Sequence, residues 1–556
     1  MIMIDKHLAA VLQLPEDCEE EEASSALVAL ITSAVHDKDP RSTLSDLHKI
    51  ISSTDAPKYL DPLNTLPHLL SSKDVAAKDI ISVIGHYCSA KEVVMAVQEA
   101  LERLEYSLDV ESEHEEGHDI TQRQGDSKYD LTLNQFIILI DTYTSAIPRL
   151  TLRRKSAADT LRPMCKELGS LIGSVTSKAT RVQGLSVLSS IFSLVKEIGR
   201  WSDTLGQEKL DDLNACKTIV NNLLDRSLLA CERFIKANIA QRTLEECHPR
   251  LSKLSRTNVD WQEGAQIMSK FLETYNSLGI SSTTSQCTTS HLVASAYQPP
   301  DIAAERLLSL LLPVLITSLQ TNTFLDESLA VLVKALHEQP RGRDLPHDIT
   351  MPLFGLLPSL ASAHPDPAVR HQAFRVLSLL LSLSDPQLKF QHLVELTRDS
   401  EFPQMRVASV GLVKESLLQA LSFPGHGQNP FLSPLFLRTF GPIIFRPDPP
   451  DLFASKLTLK GFRDTHEPAR LVECLSLFYV LLLRDDKNLT GIRDKDIIKS
   501  IDHNLLAPLR RNLTQWMDDP SISKDLHDIT GVVPLQISLE RIDTALVSRS
   551  WPCTLS

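Results

Sequence analysis

Aromatic residues make up only 5 % of the 556 residues, and glycine occurs 19 times. Sheet-rich domains draw on aromatic and β-branched side chains and on glycine at their turns, so this scarcity disfavours an all-β fold. Paired cysteine is also lacking. The nine cysteines stand at positions 18, 88, 165, 216, 231, 247, 287, 474 and 553, an odd number at wide spacing with no C-x-x-C. That is the usage of a reducing compartment, not of a disulfide framework. Basic charge is not in excess: 57 Lys+Arg face 70 Asp+Glu, for a net charge of −13. A surface of that balance disfavours non-specific nucleic-acid binding, so no direct nucleic-acid partner is expected. Long apolar runs are missing too. The longest, Leu307 to Leu319, is interrupted by Pro313 and falls short of a bilayer span. The opening residues MIMIDKHLAAVLQLPEDCEEEE hold neither a basic n-region nor a small-residue cleavage site. The expectation is a soluble protein of the cytoplasm, or also of the nucleus, with no membrane partner. The two N-x-T sequons, at Asn488 and Asn512, are expected to be unmodified.

What remains is leucine-rich, with 42 % apolar residues. A chain of this length exceeds what a single core supports, so it is either several domains or one array. The stretch from His364 to Leu383, HPDPAVRHQAFRVLSLLLSL, indicates an array. Asp366 is placed to cap a helix and Pro367 to occupy its first position. Val369, Ala373, Val376, Leu377, Leu380 and Leu381 then recur at helical spacing on one face. Arg370 is placed to reach back to a carboxylate in the preceding turn or in a neighbouring unit. The segment 403–413 (PQMRVASVGLV) repeats the pattern of 367–377 (PAVRHQAFRVL) after 36 residues, and 468–478 (PARLVECLSLF) is a weaker copy. Asp385-Pro386 repeats the Asp-Pro start. A two-helix unit of this length cannot bury its apolar face alone, so neighbouring units must stack. The fold class expected is all-α, an elongated α-solenoid of irregular HEAT/ARM-like repeats.

Charge and punctuation divide the chain. Residues 1–130 carry 26 acidic and 11 basic side chains, whereas the rest carries 44 and 46. The expected organisation is acidic N-terminal repeats at 1–108 and an acidic flexible loop at 109–130. Middle repeats follow at 131–278, then a Ser/Thr-rich linker at 279–300. HEAT-like repeats are expected at 301–556, broken by an irregular Pro-rich insertion at 422–460. In the first section Val93, Val94, Val97, Leu101, Leu104 and Leu108 form the clearest helical face.

Motifs for chemistry are few. HEEGH at 114–118 matches the zincin signature, which needs His114 and His118 on one helix face with Glu115 as general base. Gly117 sits inside that would-be helix and the flanks are polar, so a chance match is the better reading and a zinc hydrolase the remote one. Cys247-His248 has Cys231 and Cys216 upstream but no close ligand pair, which favours core thiols over zinc. Cys18, beside an acidic run, and Cys553 are the candidates for an exposed thiol; neighbouring glutamates would make Cys18 less reactive. Gly425-His426-Gly427 lacks the Lys-Ser/Thr of a phosphate loop. Glu19 to Glu22 reads as a solvated charged face. Arg370, Arg406 and Arg470 recur at equivalent positions, either as Arg–carboxylate links within or between repeats or as a ladder of partner-binding cations. No catalytic, cofactor-binding or metal residue is assigned, no cofactor is expected, and the protein-binding residues are not fixed by any short motif.

Four segments, LLSLLLPVLITSLQ, HPDPAVRHQAFRVLSLLL, SDPQLKFQHLVELTRDS and MRVASVGLVKESLLQAL, resemble the glomulin, plant ALF and fungal YAP-binding protein family over about 303–421. The resemblance implies a non-enzymatic α-solenoid that binds another protein. Its fungal branch implies a partner that is a stress-responsive bZIP transcription factor, with a role in the oxidative stress response. Its glomulin branch implies the RING-box subunit of cullin-RING ubiquitin ligases, and a paralogue implies a kinetochore-associated adaptor. The acidic N-terminal quarter suits a basic bZIP segment and favours the first.

Overall fold

Helix ends in this chain are built from the residues that the sequence places there. Asp366 accepts a hydrogen bond from Ala368 N at 2.8 Å, with Pro367 behind it as the first helical residue. Asp385 does the same for Gln387 N and Leu388 N, at 2.9 and 3.2 Å. Thr180 and Gln183 form a reciprocal capping box. The computed structural model describes residues 6–15, 18–114, 122–152, 154–205, 210–249, 261–279, 287–340, 343–398, 402–422, 429–453, 457–518 and 532–548. Among them there is no strand. The chain is all-α, and it forms two units: 1–239 with 255–299, and 240–254 with 300–556.

The first unit opens with α1 (Lys6–Leu12), α2 (Glu20–His36), α3 (Leu44–Ser53), α4 (Pro62–Ser71) and α5 (Val75–Tyr87). It continues with α6 (Ala90–His114), α7 (Gln122–Ala146), α8 (Ala157–Thr176), α9 (Arg181–Asp203) and α10 (Leu210–Cys231). The chain then gives α11 (Ile239–Cys247) almost wholly to the second unit, and the first resumes with α12 (Gln262–Ser277) and α13 (Thr289–Tyr297). From α2 to α8 each helix packs on the second one after it; α9 packs on α12 and α10 on α13. The row α2, α4, α6, α8, α10, α13 lies against the row α3, α5, α7, α9, α12. Two rows in register are the layout of an α-solenoid. On α6 the expected face is in the core: Val93, Val97, Leu101 and Leu104 are buried, while Val94 and Leu108 are half-buried.

The second unit repeats the arrangement with α14 (Ala304–Thr321), α15 (Leu325–His337), α16 (His347–Ala363), α17 (Pro367–Ser382), α18 (Pro386–Arg398) and α19 (Pro403–Ser422). α20 (Pro434–Ile444), α21 (Leu459–Arg463), α22 (Glu467–Arg484), α23 (Lys495–Ile501), α24 (Ala507–Met517) and α25 (Val533–Ser548) complete it. One row runs α15, α17, α19, α22, α25; the other contains α14 on α16 and α18 on α20. Ala373, Val376, Leu377, Leu380 and Leu381 of α17 are buried as their spacing requires, and Val369 at the first turn is half-buried.

Three segments differ from expectation. The stretch 279–300, expected as a linker, contains α13, whose Ser290 and His291 are buried. Its first turn is held by α10: Asp225 Oδ1 accepts from the Ser290 backbone N at 2.7 Å and Asn221 Oδ1 from Ser290 Oγ at 2.7 Å. A polar composition therefore reads as a linker when its partners are out of sight. The acidic stretch 109–130 is helical to His114 and again from Gln122. The Pro-rich stretch 422–460 is not a surface loop throughout. It holds α20, whose Phe436 and Phe440 are buried, with Phe431 just before it. Phe390 of α18 meets Phe431 and Phe440 at ring distances of 5.3 and 5.0 Å. Two of its prolines stand where they do little harm, Pro430 and Pro434 opening helical turns, while Pro442 lies inside α20.

Candidate protein-binding surface

The recurring arginines converge where α20 is pinned to α22. Arg470 is 4 % and Glu467 5 % exposed, and they form an ion pair one turn apart. Arg470 Nε donates to Glu467 Oε2 at 2.7 Å and Nη2 to Oε1 at 2.6 Å, a two-pronged geometry. The same guanidinium donates to the carbonyls of Ile443 (3.2 Å) and Arg446 (2.6 Å), at the C-terminal end of α20. Glu467 Oε1 in turn accepts from Asp448 N at 3.0 Å. One buried pair therefore holds both sides of the 443–448 turn, satisfying carbonyls that a helix end leaves open.

Arg370 does the equivalent job two repeats earlier. Its Nη1 donates to the carbonyls of His364 (2.6 Å) and Pro365 (3.0 Å), just past the end of α16. The carboxylate partner expected for it is absent among the described residues; the bonds go to backbone oxygens, which carry the negative end of the helix dipole. Arg406 of α19 instead pairs with Asp448. Arg406, Asp448, Glu467 and Arg470 border one cavity of about 230 Å³. The arginines here balance two carboxylates and are spent on structure.

A second opening lies on the other side of α20. A groove of about 190 Å³ runs between α20 and α23, with Leu437, Phe445, Ile497 and Ile501 among its apolar lining. Arg438 and Arg446 stand on its rim, both exposed. Among the described residues neither guanidinium meets a carboxylate, and no carboxylate lines the groove. These two arginines were hidden in a stretch that reads as irregular. The signal that could have found them is the helical spacing of Leu435, Arg438 and Pro442.

The other candidates are dispersed. Glu115 and His118 lie outside the described residues, as do Gly425-His426-Gly427 and Cys553. His114 is the last described residue of α6, so the HEEGH constellation is not tested. Cys18 is buried, at 3 % exposure, and not the exposed thiol expected. Its place under the first helices outweighs its acidic flank. Burial pushes the thiols of Cys88, Cys165, Cys231 and Cys474 up to about 12, and that of Cys216 to about 11. Such thiols stay protonated at neutral pH and are poor nucleophiles. Cys247 and Cys287 are half-buried, and burial raises these thiols as well. His248 stacks edge-on against His337 at 5.3 Å, and no group of three metal-ligating side chains occurs among the described residues. Glu19 to Glu22 are all exposed at the start of α2.

Residues 282–524 match the YAP/Alf4/glomulin family, described as an uncharacterised protein family. The match contains the four segments that carry the resemblance, both arginine-lined openings, and most of the second unit. No curated protein matches the chain. A chain from a structure of tubulin recruitment and assembly by microtubule polymerases with tumor overexpressed gene (TOG) domain arrays aligns at 13 % identity. That alignment covers 87 % of each chain, with a TM-score of 0.24. No described helix is long and apolar enough to cross a membrane.

Proposed function

We propose that this protein is a non-enzymatic scaffold whose stacked helices hold another protein, without cofactor or metal. The observation that carries the reading is the YAP/Alf4/glomulin match over 282–524, on stacked helix pairs. A stacked array presents a rigid surface, so little ordering entropy is lost on binding. The partner we favour is a stress-responsive bZIP transcription factor, met in the cytoplasm or nucleus. Its basic segment suits the excess of 26 acidic over 11 basic residues in 1–130, with Glu19 to Glu22 exposed. The buried, protonated thiols fit a scaffold that positions the cysteines of a partner and does not relay oxidation itself. A second reading is inhibition of a cullin-RING ligase through its RING-box subunit: the glomulin branch of the resemblance implies binding through C-terminal repeats, and the match lies mainly in the second unit.

Affinity capture from native extract, before and after peroxide, separates them. Recovery of a bZIP factor, more strongly after peroxide, is expected. Recovery of cullin and RING-box subunits would replace that reading with the second, and kinetochore proteins would point to a structural adaptor. Metal analysis of the purified protein is expected to find no stoichiometric zinc. Zinc at one equivalent, lost in His114→Ala, would overturn the non-enzymatic reading.

A further inference from the structure

We infer that the groove between α20 and α23 is a docking site for a short partner segment in which one large apolar side chain is flanked by acidic residues. The inference rests on the scaffold reading and specifies the chemistry of a partner. The cavity of about 190 Å³ exceeds the roughly 150 Å³ that admits a benzene ring, so it takes one aromatic or large aliphatic anchor. Leu437, Phe445, Ile497 and Ile501 give that anchor an apolar seat. Arg438 and Arg446 on the rim meet no carboxylate among the described residues, whereas Arg406 and Arg470 at the neighbouring cavity are each paired with one. An unpaired guanidinium fork is complementary to a carboxylate. Leu435, one turn before Arg438, is 48 % exposed and extends the apolar strip along α20.

Gly441 supplies an independent observation. It lines the groove inside α20, where glycine is a poorer helix former than alanine. No described atom beyond its helix and chain neighbours lies within 4 Å of where a Cβ would stand, so packing does not require glycine here. Nor does the following Pro442, although proline disfavours a helical residue before it. Leu66, Arg162, Leu312, Met351 and Leu357 each precede a helix-interior proline in this chain and carry full side chains. A bare backbone facing an open apolar groove is what close approach of a ligand needs. A nucleic acid would also meet the arginines, but it has no use for an apolar seat for a single side chain.

The test is selection of phage-displayed random peptides on the full chain, followed by fluorescence anisotropy with the enriched peptide. Enrichment of an aromatic or large aliphatic residue flanked by Asp and Glu is expected. The double variant Arg438→Glu/Arg446→Glu should weaken binding about tenfold or more. Gly441→Leu, which fills the groove, should abolish it. Gly355→Leu, at a second helical glycine with open space above it, should leave binding unchanged. Circular dichroism and melting curves should match wild type, and the arginine variants, being on the surface, serve even if Gly441→Leu fails to fold. Enriched peptides without acidic residues, no enrichment, or binding untouched by both groove variants would overturn the site. So would tighter, groove-dependent binding of a single-stranded oligonucleotide. In affinity capture, a partner retained by both groove variants defeats the site alone, whereas a wild type that retrieves no partner defeats the scaffold reading.

Discussion

At the scale of single residues, two buried charges differ in what they contribute. Arg470 and Glu467 are matched, and removing one partner strands the other. Arg470→Met is expected to lose about 3–5 kcal/mol, read from the urea midpoint, while Arg470→Met with Glu467→Leu should recover most of it. Lys389 is not matched so well. It is buried, among the described residues its Nζ donates only to Gln419 Oε1 at 3.1 Å, and burial lowers its pKa to about 8 against the attraction of Asp344 and Asp385. Between pH 8 and 10.5 the unfolded chain holds a proton that the folded chain has lost, so this group makes stability rise with pH across that window. Below pH 8 both states are protonated and the full penalty of a buried ammonium applies. Lys389→Met is therefore expected to be more stable than wild type at pH 7, with the gap closing towards pH 10.5. The comparison must be made against wild type at each pH. The buried thiols work in the opposite direction above pH 9, because their raised values favour an unfolded chain that can ionise.

At the scale of elements, charged side chains of neighbouring repeats close helix ends. Asp212 of α10 accepts from Ala157 N and Ala158 N at the start of α8, at 2.9 and 3.0 Å. Asp326 does so for Ala240 N in α11, at 2.8 Å. Arg149 donates to the carbonyls of Gly85 and Cys88 at the C-terminal end of α5, and Arg233 to those of Thr176 and Ser177 at the C-terminal end of α8. Anions at N-termini and cations at C-termini follow the helix dipole. Asp212→Ala should cost about 1–2 kcal/mol and raise amide exchange at the first turn of α8 more than elsewhere. These links explain what the sequence made legible. Local caps such as Asp366 and Asp385 were visible because both partners lie within three residues. Asp212 and Asp225 were not, because their partners lie more than fifty residues away. The groove was hidden for the same reason: Phe431 and Phe440 look like loop residues until Phe390 is placed beside them. The repeat register was legible, but the bonding of its arginines was not, since backbone carbonyls leave no trace in residue type.

At the scale of the whole molecule, each unit is held by contacts between helices that follow one another closely, and the consequence is a local response to damage. Leu377 is fully buried on α17, which packs on α15, α16 and α19. Leu377→Ala removes apolar area and leaves a cavity, at a cost of about 2–5 kcal/mol. In a globular domain with one core that cost would lower protection throughout. In a stacked array it falls on the helices that share the cavity, because each interface is a nearest-neighbour term. Hydrogen exchange read by mass spectrometry should show faster exchange in α15, α16 and α19, with α25 close to wild type. α25 packs on α22, α22 on α19 and α19 on α17, so two helices stand between α25 and the helix that holds the cavity. Uniform loss of protection across the unit would mean that it folds as a single cooperative block. The rigid surface assumed for binding would then depend on every layer at once, and a partner bound at α20 and α23 would be released by Leu377→Ala. Under the local response, that distant substitution leaves the groove intact and partner affinity unchanged.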